Sequence, residues 1–175
     1  MNLALNESKT QAKRLLKSLK STEILPNEIA GMLKKLGVTS ITQLQLKHCL
    51  ALIAQRLGFA SWHHAQELFS GKASIADQPD MGTLFYKGTC STFLNLWFSD
   101  YQEAKQALTT NPENTWLVPY KKQFIVVKRE YLTALQLTEE NIALLNKVQH
   151  DLYHSYNTEC WDRTACAVIR KQPLF

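Results

Sequence analysis

Four lysines at helical spacing, Lys9, Lys13, Lys17 and Lys20, are the first residues in this chain whose type and pattern suggest a task. Positions four apart share one helix face, so Lys9, Lys13 and Lys17 form a line that Lys20 extends. Like charges so placed repel, and after Glu7 no acid lies close along the helix to relieve them. A polyanion laid along the line would relieve them. The stripe is therefore a candidate phosphate-tracking surface, with a solvated basic face as the plain alternative.

Two further sets carry the same kind of chemistry. In LALIAQRLGFASWHHAQELF, Ala54 and Gly58 supply the small residue and tight turn of a helix-turn-helix. Its second helix would then offer His63, His64 and Gln66 to base edges. His64 and Glu67 fall where buried apolar residues normally sit, so a simple helix corner is the competing reading. In Tyr120-Lys121-Lys122-Gln123-Phe124, two lysines occupy a hairpin tip between aromatics, a combination that contacts phosphates while stacking bases. The alternative is core packing by the aromatics and edge protection by Lys121 and Lys122.

Other chemistries find less in the sequence. His150 and His154 stand four apart on one expected helix, with Cys160 and Cys166 following, yet no C-x-x-C or H-E-x-x-H spacing appears, and no metal site or other cofactor is expected. No G-x-S-x-G, Gly-rich phosphate loop or interpretable carboxylate pair marks a catalytic residue. The expectation is thus a non-enzymatic binding protein.

The elements that must position these residues follow from periodicity. A helix is expected after Glu7 and Ser8, with Ala12, Leu15, Leu16 and Leu19 inward, then one from Pro26 to Gly37 and one from Ser40 to Gly58. Both later helices end alike, in KLGVTS and RLGFAS, where Gly takes the left-handed conformation and Val38 or Phe59 folds back on the last turn. Ser61 caps the next helix, WHHAQELF. Residues 71–82, GKASIADQPDMG, read as a linker. Beyond it, TLFYKGTCSTFLNLWF suggests two strands, Ser99 a helix cap, and WLVPY with FIVVK a hairpin with Pro119 at an edge or strand end. Thr138 caps a helix with the stripe Ile142, Leu145, Val148 and Leu152, and the tail is read as helix. The fold class is α+β: a basic all-helical module (1–70), a linker (71–82), and an α+β domain (83–175) whose small antiparallel sheet is backed by helices in the order β-β-α-β-β-α-α.

Charge follows the same division. Residues 1–71 hold nine Lys/Arg against four acids, which accounts for the whole formal charge of +5, while residues 72–175 hold eleven of each. No apolar run approaches a bilayer span and no leader pattern opens the chain, so a cytoplasmic protein without membrane attachment is expected, its four cysteines reduced. ESKTQAKRLLKSL followed by LKHCLALIAQRLGFASWHHAQ resembles the short glyoxalase-related helical segment of many bacterial proteins. FLNLWFSDYQEA and YKKQFIVVKREYLTALQL resemble a family of uncharacterised proteobacterial proteins. Neither resemblance implies an activity, because the paired β-α-β-β-β units with His and Glu ligands of a glyoxalase are not found. The expected partner is nucleic acid, engaged by the basic module; the rival is an adaptor or inhibitor role against an acidic protein.

Overall fold

The computed structural model describes residues 2–22 and 24–172. Among them are eight α-helices and one three-stranded antiparallel sheet, as expected for the α+β class. No strand occurs in the described part of residues 1–70.

Helix α1 (Leu3–Lys20) buries Ala4, Leu5, Ala12, Leu15 and Leu19 along one face. It starts several residues before the expected Ser8, because its first amides find an acceptor far away in sequence. Leu3 and Ala4 donate to the two carboxylate oxygens of Asp162 at 2.8 and 2.9 Å. Helix α2 spans Asn27–Lys35 and α3 Leu46–Arg56. The expected start of α3 at Ser40 gives way to a 3-10 turn at Ile41–Gln43, after which Leu44 is extended and buried. Helix α4 is Trp62–Phe69, and the Ser61 side chain accepts from the His64 amide.

The repeated corner closes as its sequence implies. Gly37 and Gly58 have φ of +77° and +80°. Val38 donates to the Leu33 carbonyl and Phe59 to that of Ala54, the six-to-one bond of a Schellman turn. The second copy also serves as a joint: Thr83 donates to the Leu57 carbonyl at 2.8 Å, and a Cβ on Gly58 would lie 2.4 Å from the Thr83 nitrogen.

Residues 71–82 fold back onto the sheet. The Gln78 amide group donates to the carbonyls of Ser99 and Lys122, while Met81 and Gly82 exchange backbone hydrogen bonds with Lys121. Of the two strands expected in residues 83–98, one forms, β1 (Leu96–Phe98). Leu84 and Phe85 are adjacent and both buried, which a one-faced strand does not permit, and the chain there runs through turns and a 3-10 helix (Gly88–Thr92). The order is therefore β-α-β-β-α-α-α from β1 onward.

Helix α5 (Tyr101–Thr110) is capped by Asp100, not Ser99, its carboxylate accepting from the Glu103 amide. Strands β2 (Trp116–Tyr120) and β3 (Gln123–Val127) form the hairpin, and the sheet order is β1-β3-β2. Pro119 stands on the edge strand β2, two residues from Leu117, whose outward amide donates to the His150 carbonyl; Pro119 therefore costs the ladder no donor. Helices α6 (Arg129–Ala134), α7 (Glu139–Lys147) and α8 (Glu159–Lys171) follow. Helix α7 ends before Val148, so His150 and His154 do not share a helix. Helix α8 packs along α1, and its Trp161 gathers rings from several parts of the chain: Phe69 of α4 at 6.3 Å, Phe85 at 6.2 Å and Tyr156 at 5.1 Å. One apolar core thus runs through both sides of the 71–82 segment.

Candidate nucleic-acid interface

The lysine stripe is built by the burial of the opposite side of α1. Residues 4, 5, 8, 11, 12, 15 and 19 face inward, and at 100° per residue this leaves positions 9, 13, 17 and 20 on the outer face. Lys13, Lys17 and Lys20 are exposed and Lys9 is half-buried. None of the four pairs with a carboxylate among the described residues; the one acid of α1, Glu7, is taken by Arg170 of α8 at 3.0 Å. Lys20 lies beside Cys49 of α3, where it opposes the burial that raises that thiol to about 11.

Helix α4 places its candidates less openly. His63 projects into solvent and meets Glu67 one turn on at 3.5 Å. Gln66 is exposed. His64 packs edge-on against Phe59 at 5.1 Å, and its Nε2 lies 2.9 Å from the Asp80 carbonyl oxygen. His64 therefore ties α4 to the 71–82 segment. A groove of about 460 Å³ opens there, and it brings His64 together with Lys122 from the hairpin tip. Glu67, Asp77 and Asp80 line the same groove, so its field is mixed and not basic.

The hairpin tip divides its residues. Phe124 is buried at the sheet centre against Tyr101 and Tyr153, in the core role. Lys121 takes φ +52° and its ammonium lies 5.7 Å from the centre of the Tyr120 ring. Tyr120 in turn meets Tyr86 at 5.0 Å and Trp97 at 5.2 Å, both edge-on.

Two features escaped the sequence reading. Trp97 is 45% exposed on β1, next to Leu96 at 54% and near Leu94 at 93%, whereas FLNLWF reads as interior text. The signal for it was absence of negative charge: residues 81–98 and 115–129, which meet at this sheet edge, contain no Asp or Glu. The second is Asp162, whose capping of α1 has no local signature.

His150 stacks on Trp116 at 5.0 Å and His154 is exposed elsewhere on the same turn segment. Among the described residues no three His, Cys, Asp or Glu side chains gather as a metal would require. Likewise no described helix is long and apolar enough to cross a membrane. Comparison with family models, with curated proteins and with solved structures finds no match.

Proposed function

We propose that this chain is a binding protein for nucleic acid, held through the phosphate backbone by Lys9, Lys13, Lys17 and Lys20. One observation carries the reading: the four lysines occupy the outer face of α1 with no carboxylate paired to any of them among the described residues. Their mutual repulsion is a standing cost to the free protein, and a row of phosphates removes it while releasing counterions. The α4 residues His63, His64 and Gln66 add less, since His63 meets Glu67 and His64 lines a groove shared with Glu67, Asp77 and Asp80. Contact on this reading is to the backbone, without a base-reading helix.

The test is a titration of labelled duplex and single-stranded DNA, and of RNA, against salt. Replacing Lys9, Lys13 and Lys17 together by Gln should leave the fold intact and lower affinity. The slope of log affinity on log salt should flatten by about 2 to 3 for duplex DNA, the share of three phosphate contacts. Unchanged affinity in the triple variant would end the reading. Absence of binding to every nucleic acid at micromolar protein would favour an acidic protein as the partner of the same stripe.

A further inference from the structure

We infer that Trp97, Tyr86 and Tyr120, with Lys121 beside them, form a stacking platform for single-stranded nucleic acid. This deepens the nucleic-acid reading by adding a second contact surface, and it rests on observations separate from the α1 stripe.

The platform is assembled from two stretches of chain. Strand β1 pairs with β3 so that Trp97 stands opposite Ile125, and Val118 of β2 stands opposite Ile125 from the other side. Side chains alternate along a strand, so Trp97 and Tyr120 emerge on the same face. Tyr86 closes a triangle with them, at 6.0 Å from Trp97 and 5.0 Å from Tyr120. All three contacts are edge-on, which holds the rings in fixed orientations. Trp97 lies on the outer strand of the sheet, and nearly half of its surface faces solvent.

The two stretches of chain that carry these rings hold charge of one sign, and Glu130, directly after them, lines a neighbouring groove with Leu94 and Asn95. The two stretches, 81–98 and 115–129, bring Lys87, Lys121, Lys122, Lys128 and Arg129 and no acid of their own. Arg129 is paired with Glu139 and Lys122 faces the mixed groove, which leaves Lys121 as the cation beside the rings. Lys87 follows Tyr86 in sequence, and its ammonium donates to the Leu135 carbonyl at 3.4 Å. Lys121 moreover holds a left-handed backbone conformation that glycine would adopt more easily, and it stands where its ammonium reaches the Tyr120 ring.

An exposed aromatic platform with a cation at its margin matches a ligand that alternates flat rings with anionic links. A run of carboxylates offers the charge without the rings. Duplex DNA hides its base faces in the stack. Single-stranded nucleic acid offers both, and successive bases stack on such side chains with little regard to sequence.

The experiment is a fluorescence polarisation titration of fluorescein-labelled oligothymidylate against the full chain, with duplex DNA and poly-glutamate as comparison probes. Trp97→Ala should weaken oligothymidylate binding by roughly 5- to 140-fold, the range of one lost base stack, and leave duplex binding unchanged. Trp97→Phe should recover most of the loss, because it restores a flat ring, and Lys121→Gln should weaken binding and lower its salt dependence. Equal binding of oligothymidylate by wild type and Trp97→Ala would overturn the platform, and the α1 stripe would still be judged by its own triple variant. Poly-glutamate competing as well as oligothymidylate at matched charge would also overturn it. Loss of single-strand binding in Trp97→Ala with no effect of the triple Lys→Gln variant would leave the platform standing and remove the stripe.

Discussion

Asp162 illustrates how one side chain can settle a helix boundary. It is buried, and both of its carboxylate oxygens accept amides from the first turn of α1. Replacement by Ala leaves those donors without a partner and should cost about 1–3 kcal/mol in urea unfolding, while Asn, which keeps one oxygen, should cost less. The thiols set an alkaline limit. Burial raises Cys49 from an ordinary 9.0 to about 11, against the pull of Lys20, and it also raises Cys90 and Cys166. The unfolded chain releases these protons near the ordinary value while the native state retains them. Stability should therefore be complete below that value and decline as pH rises through the window toward about 11. A urea series across alkaline pH checks this, and Cys49→Ala should shallow the decline. At the same scale, the lysine stripe was legible because a repeat of one charged type at a spacing of four needs no partner to be seen. Trp97 was not, since its exposure depends on β1 becoming an outer strand, a matter decided by β3.

Among the elements, the two glycine corners give the sharpest contrast. KLGVTS and RLGFAS share their backbone path, and the sequence showed that much. Their surroundings differ: a Cβ on Gly37 meets nothing within 4 Å, whereas on Gly58 it meets Thr83 backbone at 2.4 Å. Gly37→Ala should cost about 1–2 kcal/mol, the strain of a left-handed residue. Gly58→Ala adds the displacement of Thr83 and should cost about 2–5 kcal/mol. Thermal unfolding of the two variants side by side decides the point. Strand assignments in residues 83–98 failed for a related reason. Leu84 and Phe85 look like strand text, but both are buried, and Phe85 fills space beside α8 and α6, where the Tyr131 hydroxyl donates to its carbonyl. The hairpin, by contrast, was readable because its pairing is local and its two-residue turn is short.

At the scale of the whole molecule, the basic helical part and the sheet part meet through α8. Trp161, Ala165, Val168 and Ile169 of that helix are buried in the same core as Leu5, Ala12 and Leu15 of α1. Residues 1–71 made alone would bare this face, and should show helical far-UV dichroism with dye-binding apolar surface and no cooperative melt. Trp161→Ala in the full chain should cost about 3–5 kcal/mol, because the rings of Phe69, Phe85 and Tyr156 lose their common neighbour. The clasp between Asp162 and α1 joins residues 158 positions apart. During synthesis at about 5–20 residues per second, α1 therefore waits roughly 8 to 30 seconds for the strip of α8 that covers it. For that interval the growing chain presents a basic helix with a greasy underside, which is the form in which a chaperone would first meet it.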